Sequence, residues 1–493
     1  TSAAASSRQR QTTPFASPCV LEASLHPRRI IMGQAAANET TTHASSSHSS
    51  GRAGFTEEEF RQLCKALQPM RHKAGTSVDL SNFISRFPNH LRPLVQPLFF
   101  QLAGNFGEPA AAWPMLIEGL SALIHGGSAT WQWLLDAWAA GPETSSNSNE
   151  HTSTDVELFL ELAASLCFWC AYPGLVPLAS SESEASVGTV TDNIHVELDG
   201  MLSCLRSCIC SSSCALSSPV NNVTAVAKQL DATIPFLPRA VGPTFASVLT
   251  GTPTHGFASA LESRILGAGL SLLLRGSDAH LWESGAWTPL YRDWCDGRSF
   301  NALLKGTLYY DGHALLVTRT TQGEVVGGLS NAWEDGNGKF GGTSECFLFS
   351  LSPGFQVLRS NARSGNYVYL NARNKHVARG LGFGGQPGFF RLWLDADFEE
   401  CYVLENDATY SAGQLLLGSG MQRRFEPSVV EIWACGSEEA KAAQAAERAR
   451  VEGVREQARK VDKAKLVENE FDKEMFFQKT FQASGIRDEA SST

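Results

Sequence analysis

Hydrophobic and polar positions along the chain fall into three regimes. From Thr56 the apolar residues recur at helical spacing: Thr56-Glu57-Glu58-Glu59 resembles a capping box, and Phe60, Leu63 and Leu67 line one face behind it. The same spacing predicts helices over 91–102, 113–124, 131–139, 156–172, 203–216 and 222–230, with polar breaks at 144–149 and 180–186, so residues 55–261 read as all-helical. After about residue 285 the pattern shortens to strand length. Gly306-Thr-Leu-Tyr-Tyr, Ala314-Leu-Leu-Val-Thr-Arg-Thr, Glu324-Val-Val-Gly-Gly-Leu, Cys346-Phe-Leu-Phe-Ser-Leu, Gln356-Val-Leu, Tyr367-Val-Tyr-Leu, 389–394 and Val429-Val-Glu-Ile-Trp are apolar runs divided by turns such as Asp311-Gly312 and Gln322-Gly323. They predict an antiparallel sandwich.

From Ser437 acidic and basic residues alternate nearly one for one, with alanines between them, which predicts a long, charged amphipathic helix over 437–485. Val451, Val454, Ala458 and Val461 form a narrow seam on it. Val467, Phe471 and Met475 then recur every four residues beside Phe476, Phe477 and Phe481. That apolar tip is the candidate partner-binding set. Residues 1–54 and 486–493 read as disordered, the former through an Ala/Ser/Thr/His-rich stretch too poor in large apolar groups to offset its ordering entropy.

Gly380, Gly382 and Gly385 match the G-x-G-x-x-G spacing of a dinucleotide-binding turn. That turn needs a helix to open on it so that the helix N-terminus meets the pyrophosphate. Here Pro387 and Gly388 follow, and then an aromatic run, so no cofactor is expected. The glycines are expected instead to let the chain turn and pack closely between two strands.

Composition narrows the class. The 493 residues are 43% hydrophobic and 18% charged, and a net charge of −10 disfavours nucleic acid as a partner. No run is long and apolar enough to span a bilayer. Twelve cysteines without a small-domain framework or a secretory signal pattern predict reduced thiols. Residues 1–31 carry four arginines and one acid, and the first methionine is Met32. Initiation there is expected to expose Gly33 for N-myristoylation, although Ala37 stands where that motif favours Ser or Thr.

The constellations that carry chemistry are thin. Cys204, Cys208, Cys210 and Cys214 would face opposite ways on a helix, so ordinary thiols are expected rather than one tetrahedral metal site. Cys167 and Cys170 have C-x-x-C spacing but sit late in an apolar helix, without the helix N-terminus that activates a redox thiol. His280, His313 and His376 fall in or near loops, and Glu345, Asp395, Asp397, Glu399 and Glu400 flank strands, with no assembled catalytic or metal set. No G-x-S-x-G elbow or calcium-loop signature appears.

Trp287-Thr-Pro-Leu-Tyr, Asp296-Gly-Arg-Ser-Phe, Val325-Val-Gly-Gly-Leu, Trp333, Phe340-Gly341, Cys346-Phe-Leu-Phe-Ser-Leu, Asn366-Tyr-Val-Tyr-Leu-Asn, Gly380-Leu-Gly-Phe-Gly-Gly, Leu392-Trp-Leu-Asp, Ala408-Thr-Tyr and Glu431-Ile-Trp occur in the order of the TLDc (TBC/LysM-associated) family, which includes the oxidation-resistance proteins. The resemblance covers 262–436. In layout the whole chain is similar to the lysosomal, mTOR-associated branch of that family. It implies an α+β protein: a helical, degenerate EF-hand-like region over 55–261, a β-sandwich flanked by short helices, and a C-terminal helix. It further implies a non-enzymatic regulator without catalytic residues, metal or cofactor. Such a regulator binds V-type proton ATPase subunits and is linked to TOR signalling or oxidative stress. It associates peripherally with the cytosolic face of lysosomal, vacuolar or endosomal membranes. The alternatives are a thiol-based antioxidant enzyme acting through Cys167 and Cys170, and a membrane-tethered scaffold that does not act on the pump. The chain departs from the family pattern at Val326, Arg391 and around Cys401-Tyr402.

Overall fold

The computed structural model describes residues 54–71, 77–87, 89–104, 110–125, 130–139, 153–171, 188–210, 223–250, 262–418 and 421–468. The expected disordered ends lie outside these residues. Helices occupy the first part: α1 (Glu57–Leu67), α2 (Leu80–Ile84), α3 (Arg92–Ala103), α4 (Trp113–His125), α5 (Trp131–Ala139), α6 (Ser153–Ala171), α7 (Gly188–Cys210), α8 (Val223–Thr233) and α9 (Val241–Thr250). The capping box is present: Thr56 Oγ1 accepts from the Glu59 N–H at 3.3 Å, and the Glu59 carboxylate accepts from the Thr56 N–H at 2.9 Å. Leu63 and Leu67 face the core as their spacing requires. α6 is apolar nearly all round and lies among α3, α7, α9 and α10, the last spanning Ala268–Ser277.

Two helical expectations are corrected. The region is not wholly α: β1 (Ser77–Asp79) and β2 (Ala110–Ala112) pair antiparallel, with Val78 and Ala111 buried. The two loops thereby satisfy each other's backbone groups. Among the described loop residues only Asp79 carries a carboxylate, against the 6–8 oxygens calcium takes. α7 begins at Gly188 instead of 203, and in the added stretch the Glu197 carboxylate accepts from the Ala268 N–H at 2.8 Å, ahead of the buried Met201, Leu202, Leu205 and Cys208; residues 211–216 lie outside the description. α9 falls within the span expected to be helical, and its Pro243 is tolerated because it lies in the first turn.

The remainder is a sandwich. In chain order α10 is followed by α11 (Ala279–Glu283), β3 (Thr288–Arg292), α12 (Asp293–Asp296), α13 (Phe300–Thr307), β4 (Ala314–Thr320), β5 (Val325–Ser330), β6 (Phe340–Gly341), β7 (Phe347–Ser352), β8 (Gln356–Arg359), β9 (Val368–Asn371), β10 (Gly380–Phe383), β11 (Leu392–Asp395), β12 (Tyr402–Leu404), β13 (Gln422–Arg424), β14 (Pro427–Ala434) and α14 (Glu438–Glu468). The first sheet has the order β3-β14-β4-β5-β7-β8 and the second β13-β12-β11-β10-β9-β6, with every pair antiparallel. The run 306–310, expected as a strand, is the end of α13 and a turn. Ser299 caps that helix by accepting from the Ala302 N–H, and Leu303, Leu304 and Thr307 face inward from it.

The first sheet is buried on both faces, which is why its strands read as continuous apolar runs. Leu316, Val326, Leu348 and Ile432 meet the second sheet, while Leu315, Val317, Leu329, Phe347, Phe349 and Trp433 join the same core as α1 to α11. Buried polar groups sew these layers together. The Glu431 carboxylate accepts from Ser263 Oγ at 2.6 Å, the Arg264 N–H at 2.8 Å and Trp433 Nε1 at 2.8 Å, and burial raises its pKa. Glu324, just before β5, receives a two-point bond from Arg423 (2.9 and 2.6 Å), linking the start of that strand in one sheet to β13 of the other. On the helical side, Ser207 Oγ accepts from the Phe355 N–H at 2.7 Å, and the buried Cys204 thiol donates to the Leu351 carbonyl at 3.4 Å.

Phe349→Ala is expected to lower unfolding stability by about 3–5 kcal/mol in denaturant titrations. The exposed Phe389→Ala should change it by less than about 0.5 kcal/mol.

Candidate docking surfaces

The glycine-rich stretch differs from expectation in an instructive way. Gly380 and Gly382 do not form a turn; they lie in β10, a central strand of the second sheet. The turn starts afterwards, at Gly384 and Gly385 (φ +66° and +71°), and no helix opens on it. The strand expected from 389 begins only at Leu392, because Gln386 and Phe389 exchange backbone hydrogen bonds across the turn. Leu381 and Phe383 point into the sandwich, so Gly380 and Gly382 face outward. There the rings of Phe390 and Trp393 stack on each other at 4.4 Å and pack against the strand. A Cβ on Gly382 would come within 2.7 Å of the Phe390 ring, so the close approach expected of these glycines is present, made to aromatic rings. Tyr369 and Tyr402 complete the layer, and Phe389 stands beside it, 60% exposed at the turn's tip.

Arg391, one of the departures from the family pattern, lies under this layer. It is fully buried, its Nη2 donates to the Gly413 carbonyl, and its Nε and Nη1 have no partner. Burial lowers its pKa, while Asp407 and Glu405 oppose that shift. Val326 packs in the core between the sheets, and Cys401 is buried beside Asp395 Oδ1.

The C-terminal helix is fixed at its base. Gln444 is buried and directs its amide at the carbonyls of Gly306, Thr307 and Leu308, while Arg448 Nη2 donates to Gly306 at 2.8 Å. These are the orphan carbonyls at the C-terminus of α13, where donors and positive charge are favourable. Tyr310 Oη accepts from the Gly436 N–H, holding the helix start beside a 370 Å³ cleft lined by Tyr309, Trp333, Asp335 and Lys339. Beyond Val451 the described side chains are exposed, Val454 at 54%, so the expected seam is uncovered as far as Ala458. Of Val467 only the helical backbone is described; Gly33, Phe471, Met475, Phe476, Phe477 and Phe481 lie outside the described residues.

The thiols lie mostly inside. Cys167 is fully buried on α6, and the side chain of Cys170 is outside the description, as is Cys214. Burial pushes the Cys204 thiol up to about 12 and raises Cys208, Cys346, Cys401 and Cys435 as well. Three residues that stand far apart in sequence, His280, His313 and Glu345, are brought together at one edge of the sandwich. Their spacing carries no local motif; the pairing of β4, β5 and β7 brings His313 to Glu345, and α11 adds His280. Among the described residues no helix is long and apolar enough to cross a membrane.

These features define an α+β protein built on a two-sheet antiparallel sandwich with an appended, base-clamped helix. Residues 263–436 match the family model of the TLDc domain. It is 34% identical over 156 residues to the MTOR-associated protein MEAK7 of Danio rerio, covering 31% of this chain and 34% of that protein. The Homo sapiens MEAK7 is 32% identical over 184 residues, covering 37% and 38%. Oxidation resistance protein 1 of Homo sapiens is 31% identical over 148 residues, covering 30% and 16%. The matched stretch thus spans about a third of the length of the MTOR-associated relatives.

Alkylation of the folded protein at neutral pH, followed residue by residue by mass spectrometry, should label the exposed Cys295 quickly and leave Cys204, Cys208, Cys401 and Cys435 unmodified until denaturant is added.

Proposed function

We propose that the chain is a non-enzymatic TLDc adaptor at the cytosolic face of endolysosomal or vacuolar membranes, binding the V-type proton ATPase and serving TOR signalling or the oxidative-stress response. The observation that carries this reading is α14. Gln444 and Arg448 anchor its base to the sandwich, and beyond Val451 it projects a charged, uncovered surface. A helix held at its base and uncovered over the described residues beyond it is suited to reach a second surface. The relatives' names, mTOR-associated and oxidation resistance, supply the pathway. The pump as partner rests on the family resemblance. In this reading Val467, Phe471, Met475, Phe476, Phe477 and Phe481 form the contact at the helix tip, and an acylated Gly33 tethers the chain.

The thiol-enzyme alternative has less support, since Cys167 is fully buried and the other buried thiols are shifted away from thiolate. The test is co-purification with V-ATPase subunits, comparing the full chain with a truncation before Glu438. Recovery should fall at least tenfold on truncation. Equal recovery would take the helix out of the reading, and no recovery from either form would take out the pump.

A further inference from the structure

The edge where α11, the start of β4 and the β6–β7 connection meet holds His280, His313 and Glu345, and the geometry points to a binding site for a divalent transition ion of the zinc class there. The three ligand atoms all lie within 4.8 Å of one another. His313 Nε2 stands 3.2 Å from Glu345 Oε2, and His280 Nε2 stands 3.5 Å from Glu345 Oε1. Metal–ligand bonds of about 2.0–2.2 Å place neighbouring donors of a tetrahedral zinc roughly 3.3–3.5 Å apart. The His280–Oε1 edge already has that length, whereas His313 now approaches the other carboxylate oxygen. The remaining edges, none longer than 4.8 Å, close by small rotations of the Glu345 carboxylate and of His280, which is half exposed and stacks on His313 at 4.3 Å between ring centroids.

The donors are positioned from behind. Glu345 Oε2 accepts from Asn331 Nδ2 at 3.1 Å and from Thr343 Oγ1 at 3.3 Å, which orients the carboxylate and leaves Oε1 free to ligate. The backbone carbonyl of His313 accepts from the Cys435 N–H at 2.8 Å, fixing that residue to the end of β14. Asp278 caps α11 by accepting from the N–H of His280 at 2.9 Å. Two imidazoles and one carboxylate, partly open to solvent, match a three-ligand site with water in the fourth position. Magnesium and calcium prefer all-oxygen shells and are disfavoured here.

Bound metal would join the helical layer, through α11, to the end of the sheet where β4 and β7 begin. This inference stands apart from the pump-binding reading, and its test does not involve the pump. Zinc is titrated into the metal-stripped full chain, with stoichiometry read by competition against a chromophoric chelator and stability by thermal unfolding. One high-affinity equivalent and a raised Tm are expected in the wild type. His280→Ala, His313→Ala and the near-isosteric Glu345→Gln should each weaken the apparent affinity at least tenfold. Thr343→Val should weaken it by about 10–100-fold through the carboxylate it orients. His376→Ala, an exposed histidine elsewhere, should leave both readouts unchanged. Absence of a zinc equivalent in the wild type, or retention of the same affinity in both Glu345→Gln and the His280→Ala, His313→Ala double variant, would overturn the proposal.

Discussion

Everything in this molecule depends on a sheet that has no wet face. The six strands β3-β14-β4-β5-β7-β8 are covered by the second sheet on one side and by the helical layer on the other. Alternating side chains of one strand therefore enter two different cores: Leu316 one, Leu315 and Val317 the other. A polar group on such a sheet must bring its own partners. Glu431 meets that requirement with three donors, two of them from the segment that connects the helices to the sandwich. Neither layer is optional, because removing either would expose a continuous apolar face to water.

The second sheet is built by a different compromise. Its inner face is ordinary core, but its outer face carries large rings over a strand that has given up its outward side chains. Gly382 makes room for Phe390 and Trp393, and the stacked rings replace the packing a side chain would have supplied. The glycine spacing that resembles a phosphate-binding turn is a consequence of strand alternation under aromatic cover. Arg391 shows the strain of this arrangement, with two guanidinium nitrogens unpartnered in the interior.

Much of this was legible in the residues, and the failures have physical causes. The capping box at Thr56, the strands around β4, β5, β7 and β14, and the charged helix from Glu438 follow from local chemistry that tertiary packing did not override. β10 was hidden because half of its residues are glycine, which says turn before it says strand. The stretch 306–310 looked like a strand because its aromatic and β-branched residues serve a helix end and its following turn. The edge formed by His280, His313 and Glu345 was illegible for a topological reason: 65 residues and several strands separate its first and last members, and no helix or hairpin spacing connects them. The clamp of Gln444 on α13 has the same character, since a buried amide facing another helix's terminal carbonyls leaves no periodic trace. Local signals announce elements; sites assembled across a sandwich announce themselves only in the fold.

The central claim is that helices and sandwich share one core and form one cooperative body, from which α14 reaches outward. Differential scanning calorimetry of the full chain tests this most directly, through the ratio of calorimetric to van't Hoff enthalpy for the main transition. A single transition with a ratio near one, in which the helical signal and the near-ultraviolet signal of the buried tryptophans are lost together, is the predicted result. Two resolved transitions, with the helical layer melting while the sandwich tryptophans keep their native signal, would contradict it.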